Sequence, residues 1–153
     1  MNVDKKNSEG YFDMTPFQAL SNINKEKKAA QKAAISCLYD GYRPLVYICS
    51  PFRGDVDKNI ENARKYSRFA IDNQAIPITP HLLYPQFMDD NDPKERYLAT
   101  HTINYVLLGK CREVWVFGNK ISDGMVREIA LAEKRKMKIK YFTETMEEIT
   151  RWS

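Results

Sequence analysis

Short apolar runs alternate with longer segments of helical periodicity from residue 44 onward, and this alternation restricts the fold more than any other feature. The clearest runs are LVYIC at 45–49 and EVWVF at 113–117, and weaker ones lie at 75–79 and 138–142. A continuous apolar run of this length is typical of a strand buried on both faces. Because strands alternate with helices, we predict an α/β fold: a doubly wound, mostly parallel sheet of four to five strands with helices on both faces.

Helices and loops connect the predicted strands. Pro77 argues against a central position for the strand at 75–79, because proline has no N–H to donate to a neighbouring strand. Residues 80–92 have the composition of a long loop. Helices are expected from the 50–55 turn to about Asn73, from Pro93 to Lys110, from the 118–124 loop to Lys136, and briefly after a Thr143 cap.

Residues 1–43 differ from the rest of the chain and are expected to form a separate extension. Residues 1–13 are polar and suggest a mobile leader. A Thr-Pro pair at 15–16 then fits a helix N-cap followed by proline, and the helical pattern continues to about Tyr39. The predicted organisation is therefore a leader with a helical extension at 1–43 and an α/β domain at 44–153.

The composition excludes several classes of protein. Apolar residues make up 43% of the chain and charged residues 29%, which argues against disorder. No apolar run approaches the ~18 residues of a membrane span, and the polar residues 1–10 do not resemble a secretory signal. Three widely spaced cysteines indicate neither a disulfide framework nor a zinc site, so we expect a cytoplasmic protein without a membrane partner.

Charge and motifs also limit the choice of ligand. The net charge is +4, and a local cluster of basic residues lies at 134–140. The cluster could contact nucleic acid, but a solvated helix end, where cations complement the helix dipole, is the favoured interpretation. Two distant histidines without matching cysteines argue against a metal site. The chain has neither a Walker-type loop nor a G-x-G-x-x-G motif, so no cofactor is predicted.

Ligands of open α/β sheets bind beyond the carboxyl ends of the strands, which selects the loops that follow the first three predicted strands. In the first loop, 50–56, Arg53 beside the flexible Gly54 would suit an anionic ligand, although a polar turn explains the same residues. In the second loop, 80–92, His81 could bind a base or move a proton near neutral pH. A histidine that is hydrogen-bonded within its own loop is the simpler interpretation.

The third loop, 118–124, leads into a helix whose first turns carry the strongest candidate residue. Ser122 could cap that helix and donate to a ligand oxygen, and Gly124 would let a ligand approach the helix N-terminus closely. With ~100° between successive residues, Glu128 lies at about 300° from Met125, inside the apolar sector. Since a buried unpaired charge is costly, Glu128 is either a nucleophile or cation stabiliser at a pocket, or a carboxylate that accepts from its own helix.

Several segments of the chain resemble the nucleoside 2'-deoxyribosyltransferase superfamily. They are VYICSPFRG at 46–54, PHLLYPQF at 80–87, and EVWVFG at 113–118 with a Ser-x-Gly-x-x-x-Glu element at 122–128. The resemblance extends over about two-thirds of the chain. It implies a flavodoxin- or Rossmann-like sheet, homo-oligomers, and a nucleoside or nucleotide as the ligand. It also implies cleavage of the N-glycosidic bond of a deoxynucleoside or its 5'-monophosphate.

The resemblance implies roles for individual residues as well. The glutamate that matches Glu128 attacks C1' and forms a glycosyl-enzyme, which water or a second base resolves, and Tyr47 matches a tyrosine near this nucleophile. The residue that matches Ser122 is a serine in relatives that hydrolyse nucleoside monophosphates, where it binds the phosphate. The expected substrate-binding residues are Ser50, Phe52, Arg53, Gly54, His81, Ser122, Gly124 and Met125.

One departure from the family leaves the activity open. The family has an aspartate on the helix before the third strand, which helps to protonate the leaving base, but Tyr105 stands there, beside Asn104. His81, Asp89 or Asp90 could supply the proton, or the protein could bind nucleotides without cleaving them. Two further hypotheses are an interaction protein that docks through its N-terminal helix, and an enzyme that acts on ribosides or on the nicotinamide bond of NAD.

Overall fold

The computed structural model describes residues 15–38 and 41–150, which belong to two compact units divided after Tyr42. The first unit contains one long helix, α1 (Thr15–Leu38). The helix predicted in this region is therefore present. The predicted leader at 1–13 lies outside the described residues.

The second unit is built around a five-stranded sheet. Its strands are β1 (Leu45–Cys49), β2 (Ile76–Ile78), β3 (Glu113–Phe117), β4 (Lys138–Phe142) and β5 (Glu148–Ile149). The strand order is β2-β1-β3-β4-β5, with β1 to β4 parallel and β5 antiparallel to β4. This mostly parallel sheet confirms the predicted α/β fold. β2 is an edge strand that pairs with β1, in agreement with the constraint from Pro77.

Helices connect the parallel strands. They are α2 (Val56–Asp72), α3 (Pro80–Leu83), α4 (Pro93–Tyr97), α5 (Asn104–Lys110) and α6 (Asp123–Lys134). A π-helical stretch, Leu98–Ile103, joins α4 to α5 and is called the π segment below. Asp55 caps α2 and Ser122 caps α6, each by accepting a hydrogen bond from a backbone N–H of the first turn. No helix of the described ranges has both the length and the apolar character that crossing a membrane requires.

Two predicted features differ in the structure. In the described residues after β4 there is a tight turn in place of a helix, so the expected Thr143 cap is wrong. The Thr143 hydroxyl accepts from the Glu147 N–H at 3.1 Å, while the Thr143 N–H donates to the Glu147 carbonyl at 3.0 Å, which turns the chain back into β5. The predicted loop at 80–92 begins with α3 and a 3-10 turn, because Pro80 and Pro85 stand in first turns, where the missing N–H is harmless.

The side chains of β1 alternate between two hydrophobic clusters, one on each face of the sheet. Val46 and Ile48 belong to an aromatic cluster, whereas Tyr47 and Cys49 belong to an aliphatic cluster. α2 covers the aromatic cluster, and α5 and α6 cover the aliphatic one, so β1 is buried on both faces. The aromatic cluster also contains Tyr66, Phe69, Trp115, Phe117 and Phe142, and the aliphatic cluster also contains Leu108, Val114, Val116, Met125 and Ile129.

Candidate active site

A cleft of about 600 Å³ lies at the carboxyl ends of β1, β2 and β3. The loops that follow these strands line it, together with the π segment and the first turns of α6. This is the sheet edge at which the sequence predicted ligand binding. The predicted site residues that line the cleft are Ser50, Phe52, Arg53, His81, Ser122, Gly124, Met125 and Glu128.

Two predicted site residues lie outside the cleft lining. Tyr47 is buried behind the cleft, with 1% of its surface exposed. Gly54 has a φ of 97° and open space around its α-carbon, so its part in the structure is to allow the turn between β1 and α2. The two residues therefore relate to the cleft differently: Tyr47 reaches it through another side chain, and Gly54 shapes the loop.

Glu128 is held in the cleft by donors from two other elements. Its Oε1 accepts from the hydroxyl of Tyr47 at 2.8 Å and from Nδ2 of Asn104 at 3.4 Å. The helical spacing that put Glu128 in the apolar sector places it one turn after the buried Met125 and beside the buried Ile129. The carboxylate is thus carried inward on the apolar face of α6 and meets its partners there.

Burial shifts the pKa values of Glu128, Tyr47 and Cys49. Burial raises the pKa of Glu128, while hydrogen bonds from Cys49, Tyr47 and Asn104 oppose that shift. The pKa of Tyr47 is raised well above its usual value, first by burial and then by the charge of Glu128, and the same two causes raise the pKa of Cys49. Tyr47 and Cys49 therefore keep their protons at neutral pH and remain donors toward the carboxylate.

His81 and Phe52 form an aromatic wall of the cleft. Their ring centroids are 4.9 Å apart, with the ring planes tilted by 32°. Burial lowers the pKa of His81 to about 4, so its imidazole is neutral at pH 7. A neutral imidazole offers one donor and one acceptor to a ligand. The two rings provide a flat apolar surface with a polar edge.

The N-terminal end of α6 leaves open space toward the cleft. The Ser122 hydroxyl accepts from the Met125 N–H at 3.4 Å, which is the cap that the sequence predicted. A β-carbon built on Gly124 would meet only the Ser122 hydroxyl, at 3.9 Å. A ligand oxygen can therefore approach the first N–H groups of α6, where the helix dipole favours negative charge.

Two arginines and an aspartate occupy the mouth of the cleft. Arg53 lies 3.6 Å from a carboxylate oxygen of Asp90, and Arg96 lies 3.9 Å from the other oxygen. The Arg96 guanidinium also donates to the Asp90 backbone carbonyl at 2.8 and 3.0 Å. These side chains are substantially exposed, so the ion pairs are weak and an anionic ligand could exchange with them.

Buried polar atoms without a protein partner lie around the cleft. Within the described ranges, Ser50 Oγ, His81 Nδ1 and Asn104 Oδ1 are buried and form no hydrogen bond. The three residues come from different elements and all line the cleft. Leaving such an atom unsatisfied costs about 1–3 kcal/mol. The cleft is therefore suited to a ligand with several polar groups.

Asn104 is a site residue that the sequence reasoning missed. The comparison of motifs pointed to the adjacent Tyr105, but the Tyr105 side chain is 50% exposed and stacks under the guanidinium of Arg135, 4.2 Å from its ring centroid. Asn104, in contrast, is 7% exposed and contacts Glu128. The π segment directly precedes Asn104, and no motif in the sequence indicates a π-helix. His101, for which the sequence suggested no role in the site, is exposed and lines the cleft.

In the part of the chain that the structure describes, no three His, Cys, Asp or Glu side chains are grouped so that they could hold a metal ion. The acids that line the cleft are Asp90, Asp123 and Glu128. The chemistry that this arrangement can perform therefore rests on one held carboxylate, neutral donors and acceptors, and the arginines at the mouth.

Known proteins share the fold of this unit. No curated protein matches the chain. A solved structure of a 2-deoxyribosyltransferase from the psychrotolerant bacterium Bacillus psychrosaccharolyticus is similar, with a TM-score of 0.56 and 14% sequence identity, over 70% of this chain and 77% of that one. At this identity the likeness shows a common fold. The family model of a domain of unknown function, DUF7768, matches residues 44–142, and the chain belongs to that family.

Proposed function

We propose that the protein cleaves or transfers at the N-glycosidic bond of a nucleoside or its 5'-monophosphate, with Glu128 as the nucleophile. The observation that carries this proposal is the Glu128 carboxylate at a cleft of nucleoside size, with Oε1 held by the Tyr47 hydroxyl at 2.8 Å. A carboxylate that is fixed by donors and partly shielded from water is a suitable nucleophile toward an anomeric carbon.

The proposed reaction has two displacement steps. In the first, the bond between C1' and the base nitrogen breaks, its electron pair leaves with the base, and a carboxylate oxygen of Glu128 forms a bond to C1'. The departing base takes up a proton from solvent water. In the second step water or another base attacks C1', and the bond between C1' and the Glu128 oxygen breaks with its electron pair returning to the carboxylate. The attacking group releases its proton to solvent, and the result is hydrolysis or transfer. Tyr47 remains protonated throughout, because its pKa is raised by burial and by Glu128, and it orients the carboxylate.

The remaining cleft residues would bind the rest of the substrate. The space above Gly124 and the cap residue Ser122 suit the sugar and a 5'-phosphate, with Arg53 and the Ser50 hydroxyl nearby in the lining. The wall formed by Phe52 and His81 suits the flat base. The similar fold of a 2-deoxyribosyltransferase supports a nucleoside as the substrate.

A base-release assay tests the proposal. The purified protein is incubated with ribonucleosides, deoxynucleosides, their 5'-monophosphates and NAD, with and without a second base, and free base is quantified by chromatography. We expect release that disappears in Glu128→Ala and persists in the matched control Glu61→Gln, whose acid lies on the exposed face of α2 beside Lys65. Release at the wild-type rate by Glu128→Ala would rule out Glu128 as the nucleophile.

A nucleotide-binding protein without catalysis is the second candidate. It is favoured by the state of two groups that the sequence offered as proton donors: Asp90 is engaged by two arginines, and His81 is neutral at pH 7. Calorimetry separates the two candidates. Saturable binding of a nucleotide without base release over a long incubation would select the binding protein.

A further inference from the structure

The amide of Asn104 has one end committed to Glu128. Its Nδ2 donates to Oε1 of Glu128 at 3.4 Å, and the same oxygen accepts from Tyr47. An ionised carboxylate can only accept hydrogen bonds, so the amide must turn its NH2 group toward Glu128. The orientation of the amide is thereby determined, and Oδ1 must be the end that points away from the carboxylate.

The other end of this amide lacks a partner. Asn104 is 7% exposed, and its Oδ1 is buried without a hydrogen bond among the described residues. Oδ1 can act only as an acceptor. Because both ends belong to one rigid planar group, this acceptor is held close to the carboxylate of Glu128. A substrate group that satisfies it must be a hydrogen-bond donor located near the carbon that Glu128 attacks.

The direction from which Glu128 attacks limits which substrate group can donate a hydrogen bond to Oδ1 of Asn104. Glu128 would attack C1' from the face opposite the departing base, since nucleophile and leaving group lie on opposite sides of the reacting carbon. In a β-nucleoside of ribose, the 2'-hydroxyl projects from this same face, on the carbon next to C1'. A 2'-deoxyribose has only hydrogen there. The base, with its N–H groups, lies on the other side of the sugar.

Resting on the proposed function, we propose that Asn104 orients Glu128 through Nδ2 and accepts a hydrogen bond from the substrate 2'-hydroxyl through Oδ1, so that ribosides are preferred over 2'-deoxyribosides. A site built to bind a hydroxyl rejects the analogue that lacks it, because the buried partner is then left unpaired. Asn104 would thus determine sugar specificity as well as nucleophile geometry.

The test compares matched substrates on the full-length protein. kcat/KM for base release is measured with adenosine and 2'-deoxyadenosine, and with their 5'-monophosphates, which differ only at C2'. For the wild type we expect the riboside of each pair to be favoured by about tenfold or more. In Asn104→Ala the preference should fall to about twofold or less, because the acceptor is gone. Asn104→Asp keeps an acceptor and should retain the preference.

The pH profile tests the positioning role separately. Asn104→Ala removes a hydrogen bond that lowers the pKa of Glu128, so the acid limb of kcat/KM should move to higher pH. A residue with a purely structural role would lower kcat/KM without moving that limb. Asn73→Ala and Asn73→Asp are matched controls, since Asn73 donates to the Phe69 carbonyl at the end of α2, outside the cleft.

The outcomes distinguish this inference from the proposed function. Equal use of both sugars, a preference for the deoxyriboside, or a riboside preference that survives in Asn104→Ala would overturn the inference while leaving glycosidic cleavage intact. If no base is released, calorimetry with the same pairs decides: tighter binding of the riboside supports the assignment of Oδ1, and equal binding contradicts it. A protein that neither cleaves nor binds any of these compounds overturns both proposals.

Discussion

The two faces of β1 are equally buried but differ in the chemistry that they meet. On one face, Val46 and Ile48 pack into the aromatic cluster. There, Phe117 stacks on Tyr66 with ring centroids 4.3 Å apart and on Phe142 at 4.8 Å. Stacked and edge-on rings of this kind contribute stability through burial and contact alone.

On the other face, the same alternation places polar groups behind the cleft, beside Glu128. Tyr47 and Cys49 are as deeply buried as their neighbours, yet both face the carboxylate of Glu128. Burial of that acid raises its pKa, so this face carries an electrostatic cost that the aromatic face does not. One strand therefore serves two environments: its residues on one face pack into the aromatic cluster, and those on the other face surround the buried carboxylate of Glu128.

Glu128→Gln should show the difference between the two faces of β1 most strongly. We expect base release to fall by about 10⁴-fold or more, because the proposed nucleophile is lost. The free energy of unfolding at pH 7 should stay equal or rise. A carboxyl group whose pKa is raised in the folded state stabilises it fully only at low pH, and this contribution is lost as the pH rises.

Base release and urea unfolding, measured on the same preparation, test the expected loss of activity and the expected free energy of unfolding. Glu61→Gln, on the exposed face of α2, is the control for a change of one surface charge. A large loss of stability in Glu128→Gln would mean that the acid supports the fold, and the separation of the two faces would then be wrong.

Phe117→Ala should produce the opposite pattern on the aromatic face. Removing a fully buried ring that contacts Tyr66 and Phe142 should cost about 3–5 kcal/mol of unfolding free energy. Activity per folded molecule should change little, since the ring does not line the cleft. Urea denaturation measures the loss. Phe87→Ala, with 66% of the side chain exposed, is the control and should change stability by about 0.5 kcal/mol or less.

A matched pair of tyrosine variants compares the roles of one buried hydroxyl group on each face of β1. Tyr47→Phe removes a hydrogen bond that lowers the pKa of Glu128, so the acid limb of kcat/KM should move to higher pH and activity near neutrality should fall about 10- to 100-fold. Tyr66→Phe changes an equally buried tyrosine on the aromatic face. Burial raises the pKa of Tyr66 to about 12, so its hydroxyl stays neutral in the assay range, and the pH profile should not move. Identical profiles for both variants would contradict the assignment of Tyr47.

His81 should make the free energy of unfolding depend modestly on pH. Its pKa falls from 6.5 to about 4 on folding because of burial, so the folded state excludes a proton that the unfolded state binds. Its contribution to stability is present above about pH 6.5 and is lost as the pH falls toward 4, at up to ~1.4 kcal/mol per pH unit. His81→Gln should flatten this slope in urea unfolding at pH 4.5 to 7. An unaltered slope in His81→Gln would refute the prediction.

Several parts of the candidate site could be anticipated because they depend on local order along the chain. The apolar run of β1 and the alternation of strand and helix placed Ser50, His81 and Ser122 at one edge of the sheet. The cap at Ser122 follows from a side-chain preference that acts within one turn. The inward direction of Glu128 follows from the period of a single helix.

Other parts could not be anticipated, because they depend on the register between distant elements. Asn104 and Tyr105 project from α5 in directions about 100° apart. The π segment that precedes Asn104 determines which of the two side chains faces Glu128. The turn that Thr143 closes depends on the pairing of β5 with β4. From the sequence alone, a threonine at this position is equally consistent with a helix cap. In both places two structures satisfy the same local preferences.

Local patterns in the sequence were enough to predict the α/β architecture, the sheet edge at which the cleft lies and the burial of one acid, since periodicity, proline and helix caps act over a few residues. The tertiary structure alone decided which donors meet that acid: Tyr47 and Asn104 stand 81 and 24 residues from Glu128 in the chain, yet share its Oε1. Contacts at such separation arise from the packing of α5 and α6 against β1, which no local pattern encodes.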